Sequence, residues 1–152
     1  MTKQPRLALD AMGGDNAPRI VVEGADIAVA KNPDLTLVFV GDERKIKPLL
    51  KATRFLQSAE ILHTTEEVAP EARVSQALRA GKQTSMWKAI ELVAEGQVEA
   101  VVSAGNTGAL MAMSLGQVDP ESMINWTVSG ELVFVTIPVS YTHLTLPTIL
   151  LV

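Results

Sequence analysis

The feature that most constrains this chain is an alternation. Short, near-continuous apolar runs are each followed by a stretch with helical period. The runs are RLALD (6–10), LTLVFVG (35–41), the weaker AEILHTT (59–65) and VEAVVS (98–103). The stretches between them are RIVVEGADIAVAKN (19–32), DERKIKPLLKA (42–52) and VSQALRAGKQTSMWKAIELVAEGQ (74–97), and TGALMAM (107–113) begins a further helix. A β-α-β-α-β-α-β-α order predicts an α/β fold: a mostly parallel sheet with helices on both faces. Strands buried on both faces read as continuous rather than alternating apolar runs, as here.

Within this frame the local signals are specific. Ile20, Val21, Ala25, Ala28 and Val29 share one helical face, with Pro18 expected in the first turn and Asn16 as cap. Gly24 inside that helix costs about 1 kcal/mol against alanine, so close packing is expected there. Pro48 is expected to delay or kink the second helix. The third stretch breaks near Gly81, and Met86, Ala89, Ile90 and Val93 make the buried face of its second half. Thr84 or Ser85 caps that half. His63 is expected to be structural, and Trp87, Met111 and Met113 to pack.

Composition narrows the function. A chain of 152 residues with 47% apolar and 20% charged residues is an ordinary globular domain. The formal net charge of −4 argues against a general nucleic-acid binder. The absence of cysteine excludes a disulfide framework, cysteine-ligated zinc and a cysteine nucleophile. No apolar stretch reaches the ~20 residues of a membrane span, and the N-terminus is too short in apolar residues for a signal peptide.

Three constellations can carry chemistry. SAGNTGALMA (103–112) sits where a strand hands over to a helix. Amides at a helix start favour an anion, and glycines let it approach. Ser103, Gly105, Asn106, Thr107 and Gly108 are the candidate donors. The turn is neither a G-x-G-x-x-G nor a P-loop, and glycines also serve simply to turn the chain. In DAMGGDNAP (10–18), Asp10 and Asp15 flank Gly13 and Gly14; paired carboxylates there could hold Mg²⁺ or a substrate, or Asp15 and Asn16 could cap a helix while Asp10 bonds the turn. Arg73, Arg79, Lys82 and Lys88, with Ser75, Thr84 and Ser85, could meet a phosphate or an acidic partner, or form a solvated helix face.

LALDAMGGDNAP, TSMWKAIELVAEG and VVSAGNTGALMAM, in that order, resemble the bacterial phosphate acyltransferase (PlsX) family of phospholipid synthesis. The resemblance covers roughly Leu7 to Met113. Family members more often read Ser-Ser-Met where this chain has Thr84-Ser85-Met86. The resemblance implies a three-layer α/β/α fold similar to isopropylmalate dehydrogenases, incomplete here because members run to well over 300 residues. It implies transfer of an acyl group from acyl-acyl carrier protein to inorganic phosphate. It further implies a homodimer, in the cytoplasm or peripheral at the membrane. Phosphate is itself the nucleophile, so no nucleophile of the enzyme is needed and the lack of cysteine is no obstacle; no cofactor and no metal site are assigned. On this reading Ser103, Gly105, Asn106, Thr107 and Gly108 cradle the phosphate. Asp10, Gly13, Gly14 and Asp15 shape the facing loop, with Asp10, Asp15 and Asn106 nearest the chemistry. Arg73, Arg79, Lys82 and Ser85 attract phosphate or the carrier protein. The other reading is a non-catalytic phosphate- or nucleotide-binding module.

After Met113 the pattern ends. ELVFVTI (131–137) could be a strand, and the rest shows no period. VSYTHLTLPT (139–148) back-translates to a sequence similar to a transposase-based sequencing adapter. Residues 1–113 are therefore expected to be the N-terminal part of the acyltransferase domain. Residues 114–152 are expected to be a foreign, unfolded tail, and the chain alone to be inactive.

Overall fold

The computed structural model describes residues 4–117 and the backbone of Asn125–Ser129 and Leu132–Thr136. The segment 139–148 lies outside the described residues. Strands β1 (Arg6–Asp10), β2 (Thr36–Gly41), β3 (Glu60–His63) and β4 (Ala100–Ser103) alternate with helices α1 (Arg19–Lys31), α2 (Glu43–Ala52), α3 (Val74–Ala80), α4 (Ser85–Ala94) and α5 (Thr107–Gln117). A 3-10 turn, Gly81–Gln83, joins α3 to α4. Strands β5 (Asn125–Ser129) and β6 (Leu132–Thr136) complete a sheet of order β3-β2-β1-β4-β6-β5. The first four strands are parallel, as the alternation predicts, while β6 runs antiparallel to β4 and to β5.

Successive side chains on a strand point to opposite faces, and two cores result. On one face Leu37 and Phe39 of β2 pack with Leu9, Val22, Ala25, Ile46 and Leu50 under α1 and α2. On the other, Val38 and Val40 join Ala8, Val101, Met86, Ala89, Ile90, Val93 and Met113 under α3, α4 and α5. The four α4 positions predicted to form one face are all buried.

Several details differ from the sequence reading. Pro48 neither delays nor ends α2, which runs unbroken from Glu43 to Ala52. Asp42 starts it by accepting the Arg44 N–H at 3.0 Å, and His63 Nδ1 accepts the Glu43 N–H at 3.1 Å, giving His63 a structural role. Pro18 is the N-cap of α1 rather than a first-turn residue, and no side chain caps that helix, so the capping expected of Asn16 does not occur. Helix α5 continues past Met113 to Gln117; Ser114 is fully buried, and its hydroxyl donates to the Leu110 carbonyl at 2.7 Å. Gly24 is not a packing glycine: a Cβ built there meets nothing within 4 Å.

That last finding fixes a direction. An interior helical glycine with open space before it gains nothing from lacking a side chain. Gly24→Ala is expected to raise the unfolding free energy by up to ~1 kcal/mol, measured by urea denaturation; unchanged or lower stability would mean that the site is packed.

Candidate functional site

The site forms where β1 and β4 end. Leu9 pairs with Val102 in parallel register, which sets Asp10 beside Ser103 at the carboxyl edge of the sheet. In open α/β sheets that edge is where ligands bind. Asp10 shares the parity of Ala8 and so faces the α4 layer, where the start of α4 brings in Ser85. The Ser85 hydroxyl donates to Asp10 Oδ1 at 2.6 Å, and the Ser103 hydroxyl to Oδ2 at 2.7 Å. The Met12 N–H lies 3.3 Å from Oδ1. Ser103 Oγ in turn accepts the Gly105 N–H at 3.1 Å. All three side chains are almost completely buried.

Burial pushes the Asp10 carboxyl up, because the charged form loses its hydration; the two serines and the Met12 amide pull it back, and the nearby Glu67 charge adds a smaller upward push. The carboxyl is thus a tie between β1, the start of α4 and the end of β4. It is distinct from Asp15, which is exposed at the rim of a groove. The two aspartates therefore sit in different environments, one buried and one exposed, although both line the groove.

Two glycines make the tie possible. A Cβ on Gly13 would stand 2.7 Å from Asp10 Oδ2, 2.9 Å from the Gly105 nitrogen and 2.9 Å from Ser103 Oγ. Gly105 faces it, with the Gly13 Cα 3.3 Å from its own ideal Cβ position. The loops after β1 and β4 therefore touch backbone to backbone. Gly14 turns the first loop at a φ of +103°, which side chains rarely adopt.

Asn106 holds the second loop from outside. Its Oδ1 accepts the Ala109 N–H at 2.9 Å, capping α5, and its Nδ2 donates to the carbonyls of Pro70 at 2.9 Å and Ala72 at 3.0 Å. Both amide protons are thereby spent, so the side chain shapes the turn instead of offering donors to a ligand. Thr84 caps α4, accepting the Trp87 N–H at 3.3 Å, while the Ser85 N–H goes to the Glu66 carbonyl at 2.9 Å. Once Asn106 has taken the third amide of α5, the first two, Thr107 and Gly108, have no acceptor within the helix. Gly108 also fits α3 closely, its ideal Cβ position lying 3.0 Å from Val74 Cγ2.

Of the predicted residues, Asp10, Gly13, Ser85, Ser103 and Gly105 converge on the buried tie. Gly14, Asp15, Asn106 and Thr107 line the adjoining groove, as do Asp10 and Gly105 from the tie itself. Arg73, Arg79 and Lys82 are exposed and do not line it. They lie on and beside α3, in the layer of α4 and α5, whereas the groove opens toward α1. The sequence reading missed the groove itself, a cavity of about 680 Å³ between α1 and the β1–β4 edge, walled by apolar residues including Val21, Ala25, Ala28, Leu37 and Val102. Its one sequence signal was Gly24, which lines it.

The chain is an α/β protein with a ligand-sized groove at the carboxyl edge of its sheet, the edge where such folds bind small molecules. The model of a family described as fatty acid synthesis protein matches residues 5–128, and the chain belongs to that family. It is similar to proteins named phosphate acyltransferase: 53% identical over 116 residues to that of Parvibaculum lavamentivorans (75% of this chain, 32% of the relative). It is 51% identical over 115 residues to that of Rhodospirillum centenum (75% and 32%), and 49% identical over 107 residues to that of Streptococcus suis (70% and 31%). The chain thus spans about a third of the length of these relatives.

Two outcomes follow from the tie. Gly13→Ala is expected to cost about 1–3 kcal/mol by overpacking, read as a lower urea midpoint. For Asp10, the folded-state pKa lies above the unfolded one. The stability linked to it is fully present below the ordinary carboxylate range and is lost as pH rises through the raised value. Asp10→Asn is expected to remove that loss. The difference between wild-type and variant unfolding free energies should shift in the variant's favour as pH rises above the ordinary carboxylate range; a pH-independent difference would place the carboxyl at its ordinary pKa.

Proposed function

We propose that the whole protein transfers a fatty acyl group from acyl-acyl carrier protein to inorganic phosphate, giving acyl phosphate for phospholipid synthesis. We further propose that residues 1–113 supply the phosphate side of its site. The observation that carries this reading is the start of α5, whose first residue, Thr107, lines the groove, in a chain whose relatives are named phosphate acyltransferase.

The chemistry asks little of the protein beyond placement. A phosphate oxygen attacks the thioester carbonyl carbon; the new C–O bond forms, the C–S bond breaks, and the carrier leaves as its thiolate, which takes up a proton from water. Phosphate must be held in line, and the developing oxyanion stabilised by fixed donors. The Thr107 and Gly108 amides, the Thr107 hydroxyl and the positive end of the α5 dipole hold the dianion; charge-assisted bonds of this kind are worth roughly 1.5–3 kcal/mol each. Asp10, Ser85, Ser103 and Asn106 fix the turn, and of these Asp10 and Asn106 also line the groove. Asp15, at the rim, is the carboxylate placed to meet the reacting groups. Arg73, Arg79 and Lys82 suit the acidic carrier protein better than the phosphate, since they lie away from the mouth. A homodimer at the cytoplasmic membrane surface fits the use of an acyl product; among the described residues no helix is long and apolar enough to cross a membrane.

The test is a titration of the isotope-labelled chain with inorganic phosphate, followed by amide chemical shifts. The largest saturable shifts are expected at Thr107 and Gly108. Shifts concentrated instead at Arg79 and Lys82 would refute the assignment.

A further inference from the structure

We infer that the groove between α1 and the β1–β4 edge is the seat of the acyl chain, and that Gly24 sets how much chain it admits. This inference rests on the acyl-transfer reading above for the nature of the occupant, but on separate observations for the place.

The first observation is continuity. One end of the groove is polar, lined by Asp10, Asp15, Asn16, Asn106 and Thr107, and the rest is apolar, with Val21, Leu37 and Val102 among its walls. A molecule with a reactive polar head and a hydrocarbon tail matches that division: the head sits at the α5 start and the tail follows the sheet. The cavity of about 680 Å³ lies within the roughly 300–1,000 Å³ of small-ligand sites.

The second observation is Gly24. It stands in the middle of α1, where glycine is the least favourable residue short of proline. Its φ is not among the positive ones, so no unusual turn calls for it. No neighbour lies within 4 Å of its missing Cβ, so no close packing calls for it either. What the absent side chain does is leave the groove open, since Gly24, itself exposed, is among the residues that line it. Ala25 and Ala28, also small, continue that wall. A large side chain at position 24 would project into the open space without displacing anything already there, so it would block the groove and leave the fold intact.

The experiment uses the 152-residue chain, its Gly24→Phe variant and three probes: decyl phosphate below its micelle-forming concentration, butyl phosphate and inorganic phosphate. Binding is read by calorimetry and by amide shifts, with urea unfolding and sedimentation on both proteins. Gly24→Phe is expected to remain folded, to weaken decyl phosphate at least tenfold, to weaken butyl phosphate less and to leave inorganic phosphate unchanged. Should the variant unfold, Gly24→Leu takes its place. Decyl phosphate binding equally to wild type and variant, or no better than inorganic phosphate to wild type, overturns the inference. So does a wild-type dimer that the variant converts to monomer with no change in ligand affinity, since the groove is then a contact between copies. If decyl phosphate binds wild type and is lost in the variant while inorganic phosphate shifts neither Thr107 nor Gly108, the groove assignment holds and the phosphate assignment at α5 fails.

Discussion

The arrangement at the sheet's carboxyl edge depends on one buried carboxyl. Asp10 has lost its water, and a carboxylate cannot be taken from water without partners except at a cost of several kcal/mol. Two serine hydroxyls and the Met12 amide replace the lost hydration. Each partner comes from a different place in the chain: the loop just after β1, the first residue of α4 and the last residue of β4. The carboxyl therefore does more than satisfy itself. It fixes the distance between three elements that the parallel sheet brings close but does not by itself align.

The consequence reaches the β4–α5 turn through a single further bond, from the Gly105 N–H to Ser103 Oγ. On the outer side the same turn is held by Asn106, whose amide joins α5 to the loop carrying Pro70 and Ala72. A turn held from both sides has little freedom left. Donors fixed before a ligand arrives need no reorganisation when charge develops, which is the condition for effective electrostatic stabilisation. The residues bonded into the turn, Ser103, Gly105 and Asn106, are interleaved in six consecutive positions, 103–108, with Thr107 and Gly108, whose amides have no acceptor within the helix.

That interleaving explains what the sequence made legible. Strand and helix positions followed from apolar period, because burial on both faces of a parallel sheet writes directly into the pattern. The site's location followed from strand-to-helix turns rich in glycine and hydroxyl residues. Individual roles did not follow. Asp10 and Asp15 look alike in DAMGGD, yet one is buried and bonded by two serines while the other is exposed; the difference arises from β4 and α4, which lie far along the chain. Asn106 reads as a ligand donor until the loop at 70–72 takes its protons. Gly24 reads as a packing glycine because a helix period shows which face it occupies but not what stands opposite.

The groove and the turn also strengthen each other physically. An amide–phosphate contact in water competes with hydration and is screened; against apolar walls the same contact is worth more, because the local dielectric falls. Val21, Leu37 and Val102 wall a cavity whose mouth is the start of α5. A hydrocarbon chain lying there would expel water from beside the Thr107 and Gly108 amides at the moment the phosphate must be held. The tail of one substrate would thereby raise the affinity for the other, so that the two bind with positive coupling although they share no direct contact beyond the reacting atoms. Such coupling is reciprocal by thermodynamic necessity. On the proposed function, the small wall residues Gly24, Ala25 and Ala28 would therefore influence phosphate affinity only when an acyl chain is present.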